Sequence, residues 1–329
     1  MTLDFSGISI LVIGDIILDS YLRGTTNRIS PEAPVPIVLI NNERYILGGA
    51  SNVAANLKQL GCQVHLCGLV GNDYHAQQIF NLIKSEDINV DGVIRAIDHP
   101  TIVKTRIISD DQHLVRYDKE LSFADVYERK VFEEDLSTII NQNRFDAIIV
   151  SDYNKGTIVK STIDIVRSAS KDKIKIIADP KPSNKNLYNG LYCIAPNVQE
   201  IINMSSTKDV MMAAKQLKDS LSLTCLIATM SEKGLIFVDD HNDIFQVDAY
   251  NIAMKERHHR MDVAGAGDTL IATYTAGIAA GFDHMKSLVM ANMAAAIVVN
   301  KLGTATCSLK ELEREVINLD KEIQKIKKI

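Results

Sequence analysis

The chain has 329 residues, room for about two ordinary domains or one large α/β domain, and its 36 Lys+Arg against 41 Asp+Glu leave a net charge of −5. Near balance of this kind argues against a chain-wide electrostatic grip on nucleic acid or an acidic membrane, and 46% apolar with 23% charged residues is a globular composition rather than a disordered, collagen-like or coiled-coil one. No run reaches the ~18 apolar residues of a membrane helix, and Met1-Thr2-Leu3-Asp4 lacks the basic-then-apolar order of a secretory signal.

Along the chain, Ile8–Ile13 is a continuous apolar run ending in Gly14-Asp15 and reads as a buried strand. Similar runs recur at Val64–Val70, Ala147–Val150, Ile174–Ala178, Tyr192–Ala195 and Leu223–Ala228. Helical patterns separate most of them: Ala50–Leu60, Ala76–Ile83, Val126–Ile140 and Thr157–Ala169. Such alternation predicts an α/β fold, a mostly parallel central sheet with helices on both faces. Thr269–Ala280 and Met285–Val299 follow as Ala-rich helices. Ser308-Leu309-Lys310-Glu311 is a capping box, expected to open a terminal helix that ends in Lys327-Lys328.

Two stretches break the alternation. Tyr21–Asn42 carries Pro31, Pro34 and Pro36, and Val93–Tyr117 is rich in β-branched residues at alternate positions. Both read as strands leaving the main sheet, so the expectation is one domain over residues 1–329 with a small inserted β lid at about 16–45 and 93–118. The five cysteines (62, 67, 193, 225, 307) include no C-x-x-C and fit reduced thiols, hence a cytoplasmic protein.

Ligands of open α/β sheets sit outside the carboxyl ends of the strands. Asp15 and Asp19, Ser151-Asp152-Tyr153-Asn154-Lys155-Gly156, Asp179-Pro180-Lys181 and Pro196-Asn197-Val198-Gln199-Glu200 all follow apolar runs. Each acid alone is most simply a turn former or helix cap; several in succession at one edge favour a site. The sharpest signal is Asp262-Val263-Ala264-Gly265-Ala266-Gly267-Asp268-Thr269, running into an apolar helix. Free N–H groups at a helix start favour an anion, and two glycines allow close approach of the ligand. A carboxylate beside them, Asp268, can accept a hydroxyl proton, which is the requirement for phosphoryl transfer to an alcohol. Gly48-Gly49 opens another helix, on which Asn52 and Asn56 share a face. Neither a G-x-x-x-x-G-K-[ST] loop nor a G-x-G-x-x-G after the first strand occurs.

In order, Gly14-Asp15, Gly48-Gly49-x-x-Asn52, Asp179-Pro180-Lys181, Asn197-x-x-Glu200, Thr229-x-Ser231-x-x-Gly234 and Gly265-Ala266-Gly267-Asp268 resemble the PfkB (ribokinase-like) carbohydrate kinases from about Ile8 to Cys307. Within them the chain is similar to the D-glycero-β-D-manno-heptose 7-phosphate kinases. That similarity rests on Asn27–Pro36, Ser151-Asp152-Tyr153-x-Lys155-Gly156 and the Lys104/Arg106/Gln112/Arg116/Asp118 pattern. With no H-x-G-H nucleotidyltransferase signature, it resembles the monofunctional form.

The resemblance implies a ribokinase-like three-layer sandwich and these roles. Asp268 is the catalytic base acting on the C1 hydroxyl, and the N–H groups of Gly265, Ala266 and Gly267 form the anion hole. Asn197 and Glu200 organise Mg²⁺ through waters and the ATP phosphates. Thr229, Ser231 and Gly234 line the nucleotide cleft, with Asn292 near the adenine. Asp15, Asp19, Gly48, Gly49 and Asn52 hold the sugar, and the product is the 1,7-bisphosphate of ADP-heptose and lipopolysaccharide core synthesis. A monovalent cation is a further cofactor the family allows, and a homodimer through the lid strands is its expected assembly.

A substrate that already carries a phosphate calls for fixed positive charge; Lys104, Arg106, Arg116, Lys155 and Lys181 are the candidates, and Asp152, in the motif of Lys155, is a further expected substrate-binding residue. Ala264 replaces the Thr or Ser usual in these kinases, so the anion hole rests on the backbone. The His258-His259 pair reads as an exposed loop, lacking a third donor for a metal. The competing readings are a kinase for another sugar phosphate, such as fructose 1-phosphate, and a catalytically silent binding protein of the same fold. Nucleic-acid binding is disfavoured by charge and by the absence of Trp.

Overall fold

Strand residues of alternate parity face opposite sides of a sheet, and here the two sides meet two separate cores. The structure, a computed structural model, describes residues 3–110, 112–169, 174–252, 263–301 and 303–329. Among them the central sheet has ten strands. β1 (Ser9–Gly14), β4 (Gln63–Gly71), β5 (Asn89–Ala96), β8 (Ala147–Ser151), β9 (Lys175–Asp179), β10 (Cys193–Ile194) and β11 (Cys225–Thr229) are parallel, in the order β5-β4-β1-β8-β9-β10-β11. β12 (Leu235–Val238), β13 (Ile244–Val247) and β14 (Lys327–Lys328) then extend it antiparallel.

Ile10, Val12, Ile149 and Ile177 pack with α1 (Ala50–Gln59), α2 (Tyr74–Ser85), α7 (Ala266–Ala279) and α8 (His284–Val299) on one side. Leu11, Ile13, Ile148 and Val150 pack with α3 (Arg129–Gln142), α4 (Lys160–Ala169), α5 (Val198–Met204) and α6 (Val210–Ser220) on the other. The result is the expected three-layer sandwich. All five cysteines are free and buried, and no helix of the described residues is long and apolar enough to cross a membrane.

A second, four-stranded sheet stands off the carboxyl edge: β2 (Ile16–Ile29), β3 (Pro36–Gly49), β6 (Ile102–Ser109) and β7 (Gln112–Lys119), in the order β3-β2-β6-β7. Its first hairpin runs on to Gly49, pairing Ile16 with Gly49. Its second begins at Ile102, because Val93–Ala96 stay in the central sheet, in register with Gly68–Gly71; the expected lid boundary at 93 is corrected to 102.

Three further differences concern the later chain. β12 and β13 add an antiparallel hairpin beyond the predicted apolar runs. The capping box of Ser308 and Glu311 forms as read, but it opens only α9 (Leu309–Glu315), followed by α10 (Leu319–Ile323). Lys327-Lys328 is not a helix end: it pairs with Phe245 and Gln246 and places its ammonium groups on Asp248 and Asp243. Asp262 and the His258-His259 loop lie outside the described residues.

Candidate active site

α7 starts where Gly265 takes φ 80°, a left-handed conformation open to glycine. A Cβ there would lie 2.8 Å from Asn52 Nδ2, so the glycine also lets α1 approach. Asp268, in the first turn, is 4% exposed and receives two hydrogen bonds: Asn52 Nδ2 donates to Oδ2 at 2.7 Å and Tyr153 Oη donates to Oδ1 at 2.7 Å. Each oxygen keeps a second lone pair. Burial raises its pKa to about 6, opposed by those two hydrogen bonds; Asp19 adds to the rise and Lys104 works against it. A carboxylate so tuned is a base poised near neutrality.

Of the three N–H groups expected to form the anion hole, one is already bonded within the chain. The Ala266 N–H donates to Val263 O at 3.3 Å. Among the described residues no acceptor is found for the Gly265, Gly267 and Asp268 N–H groups. Gly267 faces a cavity of about 110 Å³ that is also lined by Asp179, Lys181, Asn197, Glu200 and Thr229. Asn197 and Glu200 form a reciprocal capping box on α5, Asn197 Oδ1 taking the Glu200 N–H and Glu200 Oε2 the Asn197 N–H. Glu200 Oε1 meets Lys181 Nζ. Desolvation holds Asp179 well above the ordinary carboxylate range despite Lys181.

The lid brings a row of charge above Asp268. In register, Asp19 and Tyr21 of β2 lie beside Lys104 and Arg106 of β6, which lie opposite Asp118 and Arg116 of β7. Period-two alternation puts all six on one face. Arg106 ion-pairs with Asp19 and sits 5.1 Å from the centre of the Tyr21 ring, while Thr304 Oγ1 donates to Asp19 Oδ2 at 2.8 Å. Gly48 makes room for that carboxylate: a Cβ there would lie 2.6 Å from Asp19 Oδ2. Lys104 has no ion pair within 4.0 Å among the described residues; its Nζ lies 5.2 Å from the centre of the Tyr153 ring, and desolvation lowers its pKa.

Several expected site residues are committed elsewhere. Asp15 is fully buried and accepts the main-chain N–H groups of Tyr153, Lys155 and Thr157 at 2.8–3.0 Å; it shapes the loop after β8 rather than holding sugar hydroxyls. Asp152 accepts from Tyr188 Oη and Asn184 Nδ2, away from the lid face, and burial raises its pKa. Lys155 pairs with Glu120 at the lid's end. Arg116 is half-exposed and paired with Asp118. Asn292 Nδ2 donates to Asp248 O at 2.8 Å, which ties α8 to the main chain after β13. Gly234 is a packing glycine at φ 88°, where a Cβ would lie 2.1 Å from Val247 O, and Ser231 is exposed in the turn before it. Gly49 caps α1 at φ 57°.

The pair of asparagines is buried and hydrogen-bonded. Asn56 Nδ2 donates to Asn52 O, and Asn56 Oδ1 accepts from Thr269 Oγ1 and the Cys307 N–H. Tyr153 and Thr304 are the site residues that reading the chain did not single out. Tyr153 lay within a quoted motif, as an aromatic just past a strand end; Thr304 carried no local signal.

Residues 8–311 match the profile of the pfkB family carbohydrate kinases. The bifunctional protein HldE of Sulfurimonas denitrificans is 36% identical over 323 residues, covering 95% of this chain and 65% of that protein. HldE of Histophilus somni is 36% identical over 318 residues, covering 95% and 64%; the chain thus spans slightly less than two thirds of the length of these curated relatives. Among solved structures, Arabidopsis thaliana ribokinase complexed with ribose and ATP superposes with a TM-score of 0.73 at 17% identity, over 93% of this chain and 97% of that one. Phosphofructokinase-2 from Escherichia coli in complex with fructose-6-phosphate gives 0.73 at 18% identity, over 95% and 99%. At such identities these likenesses establish the fold, which is ribokinase-like.

Proposed function

The chain belongs to the pfkB family of carbohydrate kinases, and we propose that it transfers the γ-phosphoryl group of ATP to the C1 hydroxyl of D-glycero-β-D-manno-heptose 7-phosphate. The observation that carries this reading is Asp268: a buried carboxylate with a pKa of about 6, at a helix start with free N–H donors, beneath a lid face bearing Lys104 and Arg106. The two HldE relatives favour the heptose over other sugars.

In this reading the acceptor hydroxyl gives its proton to a free lone pair of Asp268 as its oxygen attacks in line. The Gly265 and Gly267 N–H groups meet the charge of the moving phosphoryl. Lys181, Thr229 and Gly267 line the cavity for the nucleotide phosphates. Lys104 and Arg106 face the 7-phosphate, with Asp19 and Thr304 on the sugar side.

Magnesium fits this edge indirectly. Among the described residues no three His, Cys, Asp or Glu converge, as suits an ion held mainly by phosphates and waters. Asn197 Oδ1 and the Glu200 carboxylate, each already in the capping box, would hold those waters. Bound with the nucleotide, Mg²⁺ neutralises phosphate charge.

The lid also exposes Ile29, Leu39, Ile40, Val115 and Tyr117, a surface suited to a second copy of the chain; light scattering that finds only monomer removes that part. Cytoplasmic placement belongs to the same reading, since reduced cysteines suit it.

A coupled ADP-release assay decides the substrate. Turnover with the 7-phosphorylated heptose, at a kcat/KM above that with fructose 1-phosphate, is expected. Faster turnover of fructose 1-phosphate transfers the assignment to that sugar, and no turnover with any sugar phosphate points to a silent binding protein.

A further inference from the structure

We propose that Tyr153 is a positioning residue for the phosphoryl transfer: its hydroxyl, 2.7 Å from Asp268 Oδ1, fixes that carboxylate in one rotamer and keeps it in the charged, proton-accepting form. The inference rests on the reading of Asp268 as the base and adds a second group to it.

Three observations converge on Tyr153. Its main-chain N–H is pinned by Asp15 Oδ2 at 2.8 Å, so the ring starts from a fixed point of the buried sheet edge. Two ammonium groups lie over the ring, Lys104 Nζ from the lid at 5.2 Å and Lys181 Nζ from the end of β9 at 5.5 Å from its centre. Cations over an aromatic face are attracted by its quadrupole, so the ring is held between lid and central sheet. The hydroxyl then ends on the acid. A phenol can donate or accept, and against a carboxylate oxygen it donates.

Asp268 is surrounded from every side by groups that matter to its charge. Asn52 on α1 donates to it. Asp19 on β2 raises its pKa and Lys104 on β6 lowers it. Asp179 at the end of β9 is a further acid on this side, its own charged form disfavoured by burial, and Tyr153 supplies the second hydrogen bond to the Asp268 carboxylate. A donor to the carboxylate stabilises the ion over the acid. Removing it therefore favours protonation and frees the rotamer.

The test is kcat against pH for the parent enzyme, Tyr153→Phe and Asp268→Asn. Phenylalanine keeps the ring beneath both lysines and removes the hydroxyl alone. In Tyr153→Phe the acid limb moves up by about one pH unit, so the loss at pH 6 is about fivefold greater than the loss at pH 8.5, with KM for ATP unchanged. A loss equal at all pH values with an unmoved limb, or no loss, overturns the proposal, because a merely architectural tyrosine leaves the limb where it was. If Asp268→Asn keeps the parent rate, the base assignment itself falls, which is a distinct result. Should Tyr153→Phe not fold, 3-fluorotyrosine placed at position 153 preserves the shape and gives a more acidic donor. The limb then moves down, and an unmoved limb again overturns the proposal.

Discussion

Asp15 Oδ2 accepts the main-chain N–H of Tyr153 at 2.8 Å, tying the end of the central strand to the loop that supplies Asp268 with its phenol. With Lys155 and Thr157, three amide donors converge on this one buried carboxylate. Asp15→Asn keeps the volume but turns an NH₂ group toward at least one of those donors. A buried N–H left unsatisfied costs about 1–3 kcal/mol, so urea unfolding shows a loss of that order, and kcat falls with it because Tyr153 is no longer fixed. An Asp15→Asn protein as stable as the parent would mean that the loop does not depend on this acid.

Asp268 costs stability while serving chemistry. Its carboxyl rises from 3.8 to about 6 on folding, which disfavours the charged form by about 3 kcal/mol. For an acid with a raised pKa the folded state binds the extra proton, so stability declines as pH rises from about 4 to about 6 and is then level. Asp268→Asn removes that penalty. Thermal melts therefore place the variant above the parent at pH 8 and level with it at pH 4, while kcat drops by about 10³-fold or more. Equal melting points at pH 8 would show that the buried charge carries no strain.

Much of this arrangement was legible in the residues, and what was not had physical reasons. Asn197-x-x-Glu200 and Ser308-x-x-Glu311 satisfy their helix ends from within four residues, so sequence spacing suffices to find them. The first three strands of the sheet's middle are continuous apolar runs because both their faces are buried. By contrast, β12 and β13 are antiparallel strands joined by a short turn with no helix between them, so they stand outside the strand–helix alternation by which the other strands are read. Asp15, Asp19 and Asp152 look alike in the chain. Their roles diverge only through partners 285 residues away in sequence for Asp19, or 138 and 36 for the others. An acid past a strand end can cap a loop or face a ligand, and tertiary placement alone separates the two.

Gly265 joins the anion donors to the base. At φ 80° a side chain is strained, and a Cβ would press on Asn52 Nδ2 at 2.8 Å, the atom that donates to Asp268. Gly265→Ala therefore disturbs the base and the helix start together. The expected result is a fall in kcat of about 100-fold with a stability loss of only about 1–2 kcal/mol. A variant with parent kcat would show that the glycine serves folding alone.

The lid arginines differ in burial, and that difference predicts opposite outcomes. Arg106 is 14% exposed by its side chain and pairs with an Asp19 that is 8% exposed, whereas Arg116 is 55% exposed over Asp118. Truncating one member of a buried pair leaves the other charged and unpaired, so Arg106→Ala costs roughly 2–4 kcal/mol and raises KM for the sugar phosphate at least about tenfold. An exposed pair contributes at most about 1 kcal/mol, and Arg116→Ala stays within that range and shifts KM by less than about threefold. A double-mutant cycle separates pairing from substrate contact. Asp19→Asn combined with Arg106→Ala restores most of the lost stability, since the stranded charge is gone, yet has a KM above that of Asp19→Asn alone if the guanidinium faces phosphate. Recovery of KM to that of Asp19→Asn along with stability would place Arg106 outside the substrate site and assign it to the lid's framework alone.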